Sequence, residues 1–491
     1  SALFLVACAA STMAIGLGTR WLAEGACDLV LAGGFDALSV FVASGFEVLR
    51  ATTGTLPPRP FLVGRDGMAL GEGAAVLALV SAKARGARAF VAGFAASSDA
   101  VHLTAPDRSG GGLARAGIAA LANAGLSGRS VNLVSAHATA TPFNDAAEAR
   151  AIQAMLGPDH PKPAIFPAKS QIGHTLGAAG ALETVGCIDA MTRGVLPATP
   201  QISPVDGDLP GRLLDVAAAG DVDVVLKLSA AFGGANAALV ITRKAPPPRA
   251  RPTRVAYVSR AVAILDEPTN AALAARVGLA PDKIARGDLL VRYALAAVAK
   301  LEDALGPLEG AGIVVGHSYA TIETNWLFYG RLRDRGPRFV EPRRFAYTSP
   351  NAVAGECSVA FRLTGPGLAV GSGLHGAVEA LAIASQLVSA GDADAIVVVG
   401  VDEIGPAVRE LEAAASYGRA SSGAVALLVT SAPSTYARIG EVALRLEHGA
   451  VTTPGLVGHA ALLPLTATDA PAFVAASSPW GAVARVGFLA G

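Results

Sequence analysis

Short apolar runs bounded by glycine or proline alternate along this chain with longer stretches whose apolar residues recur at helical spacing. Ala2–Ala7 is apolar, and the helix-like run Ala9–Ala23 begins just after Cys8 and closes at Gly25 in the manner of a C-cap. Asp28–Gly34 reads as a fully buried strand, and Ala74–Ser81 and Ala89–Ser97 as further strands. Gly112–Ala124 predicts a helix, Val131–Ala136 a strand and Ala146–Leu156 a helix. Val224–Ser229 and Ala237–Ile241 predict strands on either side of the turn Phe232–Asn236. Alternation of this kind predicts a layered α/β fold. The proline- and arginine-rich stretch Lys244–Thr253 is the best linker.

After that linker the pattern restarts, and the chain matches itself at an offset of 366. Ala14 meets Ala380, Gly25 meets Gly391, Asp28 meets Asp394, Gly34 meets Gly400 and Asp36 meets Asp402. A later strand pairs Gly73-Ala-Ala-Val with Gly423-Ala-Val-Ala. The expected division is a first copy at 1–244, a linker at 245–253 and a shortened second copy at 254–491. The copies are cut differently. A long stretch from Val255 onward precedes position 374, whereas only Ser1–Ala7 precedes Cys8, so the first copy is expected to lack a front segment. Leu374 stands where Cys8 stands in the first copy, and His375 beside it reads as a packing residue. Gly458-His459 weakly echoes Gly173-His174.

Composition narrows the classes. The chain has 491 residues, 52% of them hydrophobic, with 39 acidic and 39 basic residues and a net charge of zero. That balance argues against nucleic acid or an anionic membrane as partner. No apolar run approaches the ~18 residues of a membrane span, and no signal peptide is visible. Four widely spaced cysteines, Cys8, Cys27, Cys187 and Cys357, suggest neither a disulfide scaffold nor a zinc site, and a reducing cytoplasm is the expected compartment.

Three stretches carry candidate chemistry. Lys169–Glu183 reads Lys-Ser-Gln-Ile-Gly-His-Thr-Leu-Gly-Ala-Ala-Gly-Ala-Leu-Glu, which places His174 among glycines at the entrance of a small-residue helix. Glycine at that density marks close backbone approach, since each one costs helix stability. His137-Ala-Thr-Ala-Thr-Pro ends an apolar strand and turns an imidazole and two hydroxyls outward. Cys8 starts a helix, where the positive end of the dipole favours thiolate.

Together these stretches resemble the β-ketoacyl synthase (condensing enzyme) family. Val6-Ala-Cys-Ala-Ala-Ser-Thr is similar to its nucleophile motif, His137-Ala-Thr-Ala-Thr-Pro-Phe-Asn-Asp145 to its HGTGTxxxD motif, and Lys169–Glu183 to its KSxxGHxxGAAG motif. Phe232-Gly-Gly-Ala-Asn236 resembles its GFGGxN turn, and Arg59-Pro-Phe, Gly64-Arg-Asp-Gly and Gly71-Glu-Gly follow in family order. Ala138 and Ala140 replace glycines of that pattern, and Ala230-Ala231 replace a Phe-Gly pair.

The resemblance implies a thiolase-like αβαβα fold in two ketosynthase-like copies. It implies that Cys8 takes an acyl group as a thioester, that His137 and His174 stabilise the enolate of a malonyl thioester as carbon dioxide leaves, and that Lys169 and Glu183 hold the His174 region. The backbone N–H groups of Cys8 and Phe232 would form the oxyanion hole, Phe232 would gate the acyl pocket, and Thr139 and Thr141 would bind the pantetheine arm. Asp66 and Asn236 are expected to be structural. No cofactor or metal is implied beyond the phosphopantetheine of an acyl carrier protein, the expected partner. The second copy resembles the cysteine-free chain-length factors that accompany condensing enzymes, short versions of which occur in aryl-polyene-type pathways, so a dimer or pseudo-dimer is expected. The expected function is decarboxylative condensation in fatty-acid or polyketide synthesis. The alternative is a non-catalytic chain-length subunit, or a chain that needs a partner to supply the front segment.

Overall fold

The computed structural model describes residues 2–434, except 83, 85, 201–202, 248–252, 279, 286, 372, 374 and 416–420, together with strands 437–446, 472–477 and 482–489. Leu374 and His459 lie outside the described residues. Contacts divide the chain into two compact units. One comprises Val6–Arg249 and Arg335–Pro342, and is called here the Cys8 unit; the companion unit comprises Ser1–Leu5, Ala250–Asp334 and Arg343–Gly491.

Among its described residues the Cys8 unit contains nine strands: β1 (Leu29–Asp36), β2 (Gly73–Val80), β3 (Phe90–Ser98), β4 (Leu133–Ser135), β5 (Ala164–Phe166), β6 (Val195–Leu196), β7 (Ala218–Ala219), β8 (Val224–Ala230) and β9 (Ala235–Thr242). Its longer helices are α1 (Ala10–Ala23), α2 (Val40–Val48), α3 (Gly111–Ala124), α4 (Pro142–Leu156), the single turn α5 (Lys169–Ile172) and α6 (Ala179–Arg193). Five strands form one mixed sheet in the order β3-β9-β8-β4-β5, with β4 parallel to both β5 and β8. Beneath it, Leu113, Ala120 and Leu121 of α3 and Ile152 of α4 pack on Val134, Leu226 and Val240 in one apolar cluster. This is the helical spacing the sequence shows at work, with one stripe of each helix turned to the sheet.

β1 and β2 form a separate antiparallel pair, from Leu29 opposite Val80 to Asp36 opposite Gly73. Here the reading of Asp28–Gly34 as a fully buried strand needs correction. Val30 and Ala32 are buried, but Leu29, Leu31 and Phe35 on the other face are exposed. An apolar run fits a strand buried on both faces, yet burial needs a second layer, and only one face of β1 has it.

The companion unit holds one eight-stranded sheet in the order β12-β11-β13-β14-β10-β15-β17-β16. Its strands are β10 (Tyr257–Ile264), β11 (Gly312–Gly316), β12 (Gly367–Val370), β13 (Ala395–Asp402), β14 (Gly423–Thr430), β15 (Ala437–Leu446), β16 (Ala472–Ser477) and β17 (Ala482–Leu489). β11 runs parallel to β12 and β13, and β14 runs antiparallel to β13 and β10. The helix Leu289–Leu305 buries Leu290, Ala294, Val298 and Leu301 against Val397, Val399 and Val401 of β13. Ala2–Leu5 lies along β12, where Phe4 bridges Val370 antiparallel and the Leu5 N–H donates to the Ala369 carbonyl at 2.9 Å. His375 is buried just ahead of the helix Gly376–Ser389. No helix among the described residues is long and apolar enough to cross a membrane.

Candidate active site

Each candidate side chain is delivered by a break in regular structure. Cys8 lies in a 3-10 turn, Ala7–Ala9, that feeds α1. His137 follows β4, and a carboxylate of α4 holds it in place: Glu148 accepts the His137 N–H at 2.5 Å and the Ala138 N–H at 2.7 Å. Asp145, one turn earlier on α4, accepts from the N–H groups of Ala140 and Phe61. Ala138 and Ala140 have φ of 44° and 60°. That left-handed region suits the glycine of the family pattern, and alanine enters it at a cost of about 1–2 kcal/mol. The two carboxylates tie down the strained loop. Burial pushes Asp145 up to about 6 and Glu148 up to about 7.

His174 follows the single turn α5, which ends at Gly173 with φ 72°. Its backbone is clamped to the Ala69–Gly71 segment, donating to the Ala69 carbonyl at 2.7 Å and accepting from the Gly71 N–H at 3.0 Å. Helix α6 then begins against α1. A Cβ on Gly180 would stand 2.1 Å from Thr12 Oγ1, so only glycine admits this approach.

These elements bring the sequence candidates together. His174 Nε2 is 3.0 Å from Cys8 Sγ, and the His137 and His174 rings meet edge to face with centroids 5.4 Å apart. Beside Cys8 lies a cavity of about 410 Å³, whose wall includes His137, His174, Thr139, Thr141 and Phe232. Phe46 lines it too and packs on Phe232 at 5.7 Å between ring centroids. The Thr139 and Thr141 hydroxyls are 3.0 Å apart. Ala230 and Ala231 also line the cavity. Asp66 reaches the wall but spends its carboxylate on Thr53 Oγ1 and the Gly54 N–H. Asn236 Nδ2 donates to Asp99 and to the Gly234 carbonyl, which fixes the turn after Phe232.

Lys169 and Glu183 form a buried ion pair at 2.5 Å, and Lys169 Nζ is 3.5 Å from His137 Nδ1. The ammonium has only protons to offer, so His137 Nδ1 is an acceptor and Nε2 carries the ring hydrogen. The Leu176 N–H points at His174 Nδ1 from 3.3 Å and assigns that ring the same tautomer. Burial holds both imidazoles well below 6.5, and Lys169 and Lys227 add to the effect. The site thus presents two neutral Nε2–H donors, one of them directed at Cys8 Sγ.

The thiolate expected for Cys8 is corrected. Burial pushes its thiol up to about 12, outweighing the Lys169 charge. α1 starts at Ala10, one short turn beyond Cys8, so the thiol does not occupy the first turn of a long helix. The shift favours the protonated form of Cys8 over the thiolate.

Two groups escape a reading of the motifs, whereas Asp145 closes the His137–Asp145 stretch. Glu148 acts through backbone N–H groups, which leave no mark in a residue pattern. Lys227, fully buried on β8, joins Glu183 Oε2 at 2.8 Å. Its signal is a lysine inside the apolar strand Val224-Val-Leu-Lys-Leu-Ser.

The described site is a buried thiol paired with two donor imidazoles on an α/β scaffold. The N-terminal domain of β-ketoacyl synthase matches residues 5–84 and 250–422, more than half of the chain, and the C-terminal domain of β-ketoacyl synthase matches residues 88–203. The chain belongs to the β-ketoacyl synthase family. It is 37% identical over 251 residues to a 3-oxoacyl-[acyl-carrier-protein] synthase 2 of Coxiella burnetii, covering 49% of this chain and 61% of the relative. It is 36% identical over 248 residues to the tetracenomycin polyketide synthase ketoacyl synthase alpha subunit of Streptomyces glaucescens, covering 48% and 58%. The chain thus spans about 60% of the length of these relatives. Among solved structures, the PfaC keto synthase-chain length factor superposes with a TM-score of 0.73 at 19% identity, over 89% of this chain and 59% of that one, and so shares the ketosynthase fold.

Proposed function

We propose that the Cys8 unit is a decarboxylating 3-oxoacyl synthase that condenses a malonyl thioester with an acyl group held on Cys8. The observation that carries this reading is the pairing of Cys8 Sγ with His174 Nε2 at 3.0 Å, beside a second imidazole of the same tautomer. Cys8 Sγ attacks the carbonyl of an incoming acyl thioester, and its proton leaves with the departing pantetheine thiol. Both imidazoles are donors, so neither is the base in this step. In the second half-reaction the carboxylate of a malonyl thioester departs as carbon dioxide. The electron pair passes into an enolate whose oxygen receives the Nε2–H bonds of His137 and His174. The enolate carbon attacks the acyl-enzyme, a carbon–carbon bond forms, and the Cys8 thiolate is expelled and reprotonated. Phe232 at the cavity wall gates the acyl chain, and Thr139 and Thr141 bind the pantetheine. The relatives' names supply acyl carrier protein as the carrier of both thioesters.

The companion unit fits a chain-length-factor-like role, with leucine at position 374 where the first copy has Cys8. One observation favours a second reading. The exposed apolar face of β1 and β2 would suit a chain that condenses only when a further polypeptide completes that layer. Incubation with an acyl carrier-protein thioester followed by intact mass separates the two. An acyl adduct lost in Cys8→Ala supports the synthase reading, and no adduct supports the second.

A further inference from the structure

Lys227 sits in the interior of β8 between Leu226 and Leu228, and all three are fully buried. Its ammonium reaches three acceptors: Glu183 Oε2 at 2.8 Å, Ser229 Oγ at 2.8 Å and the Leu228 carbonyl. The Ser229 and Leu228 contacts are hydrogen bonds and the Glu183 contact is an ion pair, whose charge opposes the lowering of the Lys227 pKa by burial. The other oxygen of Glu183 is held by Lys169. One carboxylate therefore serves two ammonium groups, and this triad carries a net positive charge away from water. An isolated lysine–glutamate pair would satisfy Glu183 without that excess, and uncompensated buried charge is costly.

The excess charge stands behind the two imidazoles. Lys169 Nζ faces His137 Nδ1, and Lys227 is tied through Ser229 Oγ to Thr12 Oγ1 on α1 at 2.8 Å, the helix that follows Cys8. The other titratable groups around the site are few. Burial pushes the thiol of Cys8 up to about 12 and that of Cys187 on α6, beside Lys227, up to about 11. Glu148 on α4 spends its oxygens on the His137 and Ala138 N–H groups. Asp36 on β1, raised by burial, accepts the Gly177 N–H at 3.0 Å.

We propose that Lys227 is a positioning residue that makes the Lys169–Glu183 pair cationic, so that His137 and His174 stay neutral donors and the cavity favours a substrate that develops negative charge. The proposal deepens the condensing-enzyme reading of this site and rests on it for the identity of that substrate, an enolate formed from a carboxylated thioester. Lys227 lies outside the cavity wall and acts through Glu183, Lys169 and the two rings. Preorganised positive charge in a water-poor site is worth more there than in solution, because nothing must reorient as the anion forms.

The test is a histidine NMR titration of the whole chain carrying 13C-labelled imidazoles, with the two signals assigned by His137→Asn and His174→Asn. In the unchanged protein both rings remain neutral down to the acid limit of the folded state. Lys227→Met should raise both imidazole pKa values, and in a condensation assay it should move the acid limb of the rate profile to higher pH. Lys227→Arg, which keeps the charge, should titrate like the unchanged protein. If Lys227→Met does not fold, Lys227→Gln reads the same titration. Unchanged imidazole titration in a folded neutral variant, or an arginine variant that behaves like the neutral one, overturns the proposal. The titration needs no turnover, so a protein that fails to condense still reports on Lys227.

Discussion

The same pair of strands occurs twice in this chain and is buried only once. β1 repeats as β13 at the offset of 366, and β2 repeats as β14 at an offset of 350. In both pairs the register is antiparallel and the last aspartate faces the first glycine, Asp36 with Gly73 and Asp402 with Gly423. The outer faces differ sharply. Leu31 is 69% exposed where its counterpart Val397 is 0%, Phe35 is 79% where Val401 is 2%, and Val76 is 65% where Ala426 is 0%. In the companion unit β11 flanks β13, β10 flanks β14, and the helix Leu289–Leu305 closes the layer. Among the described residues the β1–β2 pair stands as a two-stranded sheet, with Leu31, Phe35 and Val76 exposed on that face. An apolar strand therefore specifies the pairing by itself, while its burial depends on elements elsewhere in sequence. The two aspartates make a similar point. Asp36 anchors the Gly177 N–H just past His174, whereas Asp402 holds the N–H groups of Ser318 and Tyr319. One repeated position supports a reactive loop in one unit and a plain turn in the other.

Substitutions at matched positions break this comparison most directly. Val397→Asp buries a charge in the closed layer and should cost more than about 4 kcal/mol, whereas Leu31→Asp at the matched open position should stay within about 0.5 kcal/mol. Urea unfolding followed by circular dichroism measures both. Equal losses would mean that the β1 face is covered in solution. Next in size, Glu183→Gln leaves Lys169 and Lys227 buried without their shared carboxylate and should cost about 3–5 kcal/mol in the same assay. Glu148→Gln turns one acceptor into a donor facing a backbone N–H and should cost about 1–3 kcal/mol. The smallest effect is a gain: Ala140→Gly relieves a left-handed alanine and should stabilise by up to about 1 kcal/mol. No gain would show that the Asp145 hydrogen bond already offsets the strain.

The thiol gives a separate prediction in pH. Because burial holds Cys8 near 12, its thiolate fraction rises tenfold per pH unit throughout the neutral and mildly alkaline range. Alkylation of Cys8 by iodoacetamide should therefore quicken steadily with pH. A plateau near neutrality would mean a depressed thiol and would restore the thiolate first expected for it.

Much of this was legible in the residues. The strand and helix pattern and the repeat follow from periodicity, and the motifs single out Cys8, His137 and His174, which the fold brings together. Three features were not. The exposure of Leu31 and Phe35 depends on which segments cover β1, and a run such as Leu-Val-Leu-Ala reads the same whether one face or both are packed. Lys227 sits at a position where a strand pattern shows only a polar interruption, and its partner Glu183 is distant in sequence. The protonation of Cys8 is set by how deeply the 3-10 turn is buried, which the sequence of the following helix does not reveal.

The proposed chemistry stands or falls on Cys8 as a working nucleophile beside two donor imidazoles. The most direct test is intact mass of the purified chain before and after incubation with an acyl carrier-protein thioester, alongside Cys8→Ala. The parent chain should gain one acyl group, and the variant should gain none. An unchanged mass in the parent chain, or the same adduct in Cys8→Ala, would contradict it.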